Sequence, residues 1–160
     1  MVKHSLQIIY SLSLSLLFSC TPSSNDALEL TEEINAVSFK LDVPAGWSLQ
    51  IDQGIDTYIG RIANESDTIF FDYGYLSFGG LDLVDENDNT ISFERTLING
   101  IPSIIVKENT PYENSRSIRL SAYIDSGDRT SLNRLYCFDP SDEATIRAIM
   151  KSHVFLPITN

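Results

Sequence analysis

The sequence predicts an α+β domain in which an antiparallel β-sheet carries a C-terminal helix packed against it. Three observations carry that prediction. Short runs rich in β-branched and aromatic residues alternate with turn residues through the middle of the chain. Asn99-Gly100, the strongest short-range hairpin signal, stands between two such runs. Near the C-terminus the pattern switches to helical spacing, with Ile146, Ile149 and Met150 recurring on one face.

The chain opens on a weakly basic start, Lys3 with His4, followed by a mostly apolar or serine stretch from Leu6 to Phe18. As a helix that stretch is roughly 20 Å long, short for a hydrocarbon core of about 30 Å. It reads as an export signal removed during processing. Leu17-Phe18-Ser19-Cys20 resembles a bacterial lipobox, in which an apolar and a small residue precede a cysteine that is acylated and becomes the new N-terminus. An ordinary signal peptide that contains a cysteine is the plainer reading of the same residues. Two or three acyl chains at Cys20 give stable membrane anchoring where a single chain is marginal. Thr21, rather than Asp, follows the cysteine, which by resemblance to the best-known sorting rule favours the outer membrane.

The expected organisation is a lipoprotein signal peptide over 1–19, a lipid-anchored flexible tether over 20–35 and a single α+β domain over 36–160. The tether "TPSSNDALELTEEIN" is polar and acidic, with a helical turn expected near Ala27–Ile34. In "AVSFKLDVP", Val37, Phe39, Leu41 and Val43 alternate on one strand face. "TYIGRIA" and "TIFFDYGYLSF" flank the turn "NESD" as a hairpin. "TISFERTLI" and "IPSIIVKE" flank Asn99-Gly100, and "RSIRLSAYID" and "SLNRLYCF" flank "SGDRT". The terminal helix is expected to start with Asp139 as N-cap and Pro140 at the first helical position, and to place Lys151 where the helix dipole favours a cation.

The 160-residue chain carries a formal net charge of −11, which becomes −12 when residues 1–19, with Lys3, are removed. The 141 residues left suffice for one domain with a proper core. An acidic chain repels phosphate backbones and anionic lipid surfaces, which argues against nucleic acid as a partner. With Cys20 acylated, Cys137 has no cysteine to pair with inside the chain.

Two stretches together carry a family resemblance. "FKLDVPAGWSL" runs from a strand into a Pro-x-Gly-Trp turn, and "IRAIMKSHVF" runs from a final helix into an x-Ser-x-x-Phe tail. With the antiparallel hairpins between them, the chain resembles the Mog/PsbP-like sandwich, an antiparallel sheet flanked by helices. "GIDTYIGRI" and "DTIFFDYGYLS" are similar to segments of small lipoproteins of unassigned function from Bacteroidetes-type bacteria. The resemblance covers most of residues 36–156. It implies a binding or assembly factor rather than an enzyme, as in the photosystem-associated and Ran-binding branches. No functional residue carries over, because the matching positions are structural.

Reactive chemistry is sparse. After removal of the signal, His153 is the only histidine, and in "KSHVF" it reads as a surface or packing residue before a general base. Cys137 reads as a core thiol, since no cation or helix N-terminus stands close in sequence before Pro140. In "DLVDENDNT", Asp85, Asn87 and Asn89 have the alternate oxygen spacing of a calcium loop. Thr90 replaces the glycine and Thr96 the bidentate glutamate that such a loop requires, so a solvated hairpin loop is expected. No metal-ligand set or cofactor motif is recognised. Trp47, between Pro44, Gly46 and the next strand, reads as a packing residue at its turn.

The stretch "FFDYGYLSFGG" is the candidate surface. As a strand it places Phe71, Tyr73 and Tyr75 on one face and Phe70, Asp72 and Gly74 on the other. Read structurally, it is a sheet strand with a glycine bend. Read functionally, it is a binding surface of Asp72, Tyr73, Tyr75 and Phe78, with Asp56, Tyr58 and Arg61 on the preceding hairpin arm standing beside it. An Asp72–Arg61 pair would serve equally as a cross-strand stabiliser. The expected function is a non-enzymatic cell-envelope lipoprotein that binds a protein partner through one sheet face. A small-ligand or cation-binding lipoprotein is the alternative, and a carboxylate-based hydrolase a third.

Overall fold

The structure, a computed structural model, describes residues 29–36, 38–113, 116–127 and 131–157. Cys20, the signal segment and most of the tether lie outside the described residues, as do Val37 and residues 128–130 of the "SGDRT" turn.

Among the described residues, ten strands and one α-helix build two layers. Strands β1 (Glu32–Ala36), β2 (Phe39–Val43) and β10 (Val154–Phe155) form a three-stranded antiparallel sheet in the order β1-β2-β10. The larger sheet contains β3 (Ser48–Asp52), β4 (Tyr58–Ala63), β5 (Thr68–Tyr73), β6 (Thr90–Ile98), β7 (Ile101–Glu113), β8 (Arg116–Asp125) and β9 (Leu132–Phe138). Its order is β3-β4-β5-β9-β8-β7-β6, with every neighbouring pair antiparallel. Two meanders are thus joined where β5 meets β9. The α-helix α1 (Glu143–Lys151) follows β9. A sandwich-like α+β fold, mostly antiparallel sheet with one C-terminal helix, is therefore what the chain adopts.

The β1 strand corrects one expectation. Residues 32–36 pair residue by residue with β2, from Glu32 opposite Val43 to Ala36 opposite Phe39, so residues 32–35 belong to the sheet where the end of a tether, with a helical turn near 27–34, was expected. The charged residues of β1 face solvent and Ala36 faces the core, so it is a one-sided edge strand whose partner lies beyond its own local pattern.

The core lies between the layers. Phe39, Leu41 and Val43 of β2 and Ile146, Ile149 and Met150 of α1 pack on the inner face of the large sheet, against Ile62, Ile69, Phe71, Leu120, Ala122, Ile124, Leu135 and Cys137. Each large apolar side chain buried in this way contributes about 1.5–3 kcal/mol relative to exposure. The small sheet covers the β5 side, where Phe39 meets Phe71 edge-on at 5.2 Å. The helix covers the β6–β7 side, tied by Lys107 to Glu143 at 2.7 Å and by Lys151 to Glu94 at 3.0 Å. Trp47 is buried at the turn that leaves β2. Gly60 is required where β4 passes under the Phe71 ring: a Cβ there would lie 2.5 Å from both the ring and the Gln50 carbonyl oxygen.

The hairpin at Asn99-Gly100 is present, with both residues at positive φ (49° and 82°) as a type I′ turn demands. The helix start differs from expectation. Asp142, not Asp139, is the N-cap, accepting from Ala144 N at 3.0 Å and Thr145 N at 3.3 Å. Asp139 instead turns back at φ 43° and accepts from Ile118 N and Ser117 Oγ, each at 2.9 Å, tying the end of β9 to the start of β8.

The path from β5 to β6 sets up the site. It must travel from the middle of the large sheet to its far edge, four strand spacings or about 19 Å. Residues 74–89 make that crossing on the outer face, with a 3-10 turn at Leu81–Leu83 on the way.

Candidate functional site

Strand alternation in β5 and β9 decides what the outer face of the large sheet carries. In β5, Ile69, Phe71 and Tyr73 point into the core, and Thr68, Phe70 and Asp72 point outward. In β9, Asn133, Leu135 and Cys137 point inward, and Arg134, Tyr136 and Phe138 outward. The register sets Phe70 opposite Tyr136 and Asp72 opposite Arg134, and β8 adds Tyr123 opposite Arg134.

These outward residues form a continuous ladder of rings and guanidinium groups. Phe70 stacks on Tyr136 at 5.3 Å, and Phe138 meets both edge-on at 6.4 and 5.7 Å. Arg116 lies over Phe138 at 4.5 Å and over Phe70 at 5.9 Å. Arg134 lies over Tyr136 at 4.7 Å and over Tyr123 at 5.5 Å, and Phe78 closes the row edge-on to Tyr123 at 5.2 Å. Each cation–π contact contributes about 0.5–1 kcal/mol at such partly exposed positions. The rings are half-buried, so the ladder is rigid and still accessible from solvent.

Where residues 77–87 cross the outer face they leave a cleft of about 340 Å³ between loop and sheet. Ser77, Phe78 and Asn87 line the loop side, and Glu108, Arg119, Tyr123 and Arg134 the sheet side. Ser77 Oγ donates to the Asp72 carbonyl oxygen at 2.6 Å and holds the start of the loop down. Arg119 Nη2 donates to Glu108, its cross-strand partner, and both side chains are largely buried. Arg134 makes no hydrogen bond or ion pair among the described residues, and its Nε is buried without a partner. Asp72 stands across the strand pair with Oδ1 buried and without a hydrogen-bond partner, too far from Arg134 for an ion pair.

The residues expected to form one surface are divided. Tyr73 is a core residue at 9 % exposure, packed on Phe39 and Phe155, because it shares the inward row with Phe71. Tyr58 falls on the same inner face and packs against the Phe71 ring at 5.8 Å. Arg61 points outward but donates from Nε and Nη2 to Gln50 Oε1, at 3.1 and 2.7 Å, rather than to Asp72. Asp56 is exposed in the loop before β4, and Tyr75 is 67 % exposed just past the end of β5. Phe78 belongs to the cleft wall. An exposed patch joining Tyr73, Tyr75 and Phe78 is thus excluded by the strand register. Arg134, Tyr136, Phe138 and Tyr123 were missed, although "RLYCF" alternates arginine and rings with Leu135 and Cys137.

The two groups with reactive potential are both inside. Burial, together with the Asp67 carboxylate, pushes the Cys137 thiol up to about 12. Burial pushes His153 down to about 3. Its ring stacks on Phe39 at 5.2 Å and meets Phe155 edge-on at 4.5 Å. The Asn133 amide lies 2.9 Å from His153 Nε2. That contact needs Nε2 as acceptor, hence a neutral ring protonated on Nδ1. Both groups face the core side of the sheet, away from the cleft. The 82–90 loop is held by its own hydrogen bonds, Asn89 N to Asn87 Oδ1 at 2.8 Å and Asn87 N to Thr90 Oγ1 at 2.9 Å. Among the described residues no group of three histidine, cysteine or acidic side chains is placed to hold a metal ion, and no helix is long and apolar enough to cross a membrane.

No protein-family model and no curated protein matches this chain. Among solved structures it is similar to a protein of Bacteroides thetaiotaomicron VPI-5482, at 13 % identity and a TM-score of 0.45, with 75 % of this chain and 46 % of that one covered. The chain therefore spans about half the length of that protein.

Proposed function

We propose that this protein is a non-enzymatic binding module of the cell envelope, anchored through acylated Cys20, whose working surface is the outer face of the large sheet. The observation that carries the reading is the ladder from Arg116 through Phe70, Tyr136 and Arg134 to Tyr123. A sheet face left to solvent alone needs only small polar side chains. Tyrosine, phenylalanine and arginine held rigid by one another offer large contact area at low entropic cost, the composition of protein-binding hot spots. Burial of Cys137 and His153 on the opposite side supports binding rather than catalysis. The 11 residues between Cys20 and Glu32 span at most about 40 Å, which would hold the domain close to the membrane. The Mog/PsbP-like character of the fold belongs to the same proposal. It is supported by β2 leading into the Pro44–Trp47 turn and by α1 leading into Val154–Phe155.

A bound small ligand is the second reading, favoured by the cleft beside Arg134. Chemical crosslinking in cells, with Tyr136→Ala and Arg134→Ala variants and mass spectrometry of the adducts, separates the two. A defined protein adduct lost in both folded variants supports the partner reading. An adduct that persists unchanged in both refutes the outer face as the surface.

A further inference from the structure

We infer that Arg134 is the anchor for a ligand carboxylate seated in the cleft between the sheet and residues 77–87. The inference rests on the outer face being the working surface and adds the chemistry it recognises. Three arguments carry it.

The first is charge matching. Arg119, on the same wall, is neutralised by Glu108, and Asp85 at the rim lies 3.7 Å from Arg95. Arg134 alone among the cations lining the cleft has no ion pair among the described residues. The second is pre-organisation. The rings of Tyr123 and Tyr136 flank its guanidinium, so the fork is held in place without using its N–H donors. A planar fork with donors to spare matches a carboxylate through two parallel hydrogen bonds. The third is charge number. Glu108 and Asp85 line the same cleft, and Asp72 stands across the strands from Arg134. Glu108 and Asp85 are matched by Arg119 and Arg95, and the Asp72 carboxylate beside Arg134 leaves no surplus positive charge to hold a phosphate dianion. The cleft, at about 340 Å³, fits the lower end of small-ligand sites. The carboxylate belongs either to an acidic side chain or C-terminus of a protein partner, or to a free organic acid.

The test uses the full chain purified from membranes in detergent, with the Arg134 Nε–Hε resonance followed by ¹⁵N NMR. The probes are N-acetylglycine and its neutral amide, N-acetylglycinamide. Saturable movement of that resonance with the acid, at a Kd of about 1–10 mM for a single bidentate contact, and none with the amide, is the expected result. Probe-induced shifts of neighbouring Tyr123 and Tyr136 signals should vanish in Arg134→Gln and weaken about tenfold in Arg134→Lys, which keeps the charge and loses the fork. Equal response to acid and amide, no response to either, or an unchanged response in a folded Arg134→Gln overturns the inference. If the acid binds and the cellular adduct is also lost in Arg134→Gln, the carboxylate is the partner's. If the acid binds and no adduct depends on Arg134, it is a free acid. An adduct that depends on Tyr136 while the acid fails to bind leaves the outer face standing and removes only the carboxylate.

Discussion

Asn133 and His153 meet at 2.9 Å in the interior, joining the middle of the large sheet to the residue that follows α1. Burial between Phe39 and Phe155 holds the imidazole neutral, and the Asn133 amide meets its Nε2. Its consequence is a pH dependence of folding. In the unfolded chain His153 titrates near 6.5, and in the fold near 3. The unfolded state therefore binds more protons between those values, and stability falls as pH drops through that window. It is fully present above pH 6.5, and the limiting slope is about 1.4 kcal/mol per pH unit. Urea unfolding at a series of pH values should show this loss in the parent and a flatter profile between pH 6.5 and 4.5 in His153→Gln. Identical profiles would contradict the account.

Asn133 should be sensitive for the same reason. Asn133→Ala removes the donor to Nε2 and leaves a buried imidazole nitrogen without its partner, at a cost of about 1–3 kcal/mol. Equilibrium unfolding at neutral pH measures it directly.

Gly60 tests the packing of β4 against β5. With a Cβ only 2.5 Å from the Phe71 ring and from the Gln50 carbonyl, Gly60→Ala must displace either the ring or strand β3. A loss of about 1–3 kcal/mol is expected, as for other overpacked sites. Gly100→Ala, where the Cβ meets open space, is strained only by its positive φ and gives a comparison without a clash.

Cys137 should be inert while the chain is folded. A buried thiol held near 12 carries almost no thiolate at pH 8. Its labelling by iodoacetamide should follow the unfolding transition in urea, and rapid labelling of the native protein would place the thiol elsewhere.

The two faces of β5 and β9 should separate stability from binding. Phe71→Ala empties the core and should cost about 3–5 kcal/mol. Tyr136→Ser, on the ladder, removes a half-buried cross-strand pair and should cost about 1 kcal/mol or less. Thermal unfolding of both variants, read beside adduct formation, distinguishes a structural ladder from a binding one.

Much of this architecture was legible in local pattern. Alternation in "FKLDV", the positive-φ turn at Asn99-Gly100 and the spacing of Ile146, Ile149 and Met150 each announce their element. What was not legible depended on distant pairing. "TIFFDY" is apolar on both faces, so its own alternation cannot say whether Phe70 or Phe71 points inward. The partner β9 decides it, because Leu135 and Cys137 stand on the Phe71 side. "EEINA" looks like tether until β2 lies beside it. Asp139 followed by Pro140 reads locally as a helix cap, but β8 supplies Ser117 and Ile118 to Asp139 and leaves the capping to Asp142. The candidate surface differs for the same reason: register puts Tyr73 in the core, and the outward row of rings and arginine comes from β9, whose own pattern does not show which strand lies beside it.

The central claim is that the outer face, and not the helix-covered layer, meets a partner. A photo-crosslinking amino acid placed at Tyr136 on the ladder, or at exposed Ala144 on α1, tests it in intact cells. A defined adduct is expected from position 136 and none from position 144. An adduct from 144 alone, or none from either, would contradict it.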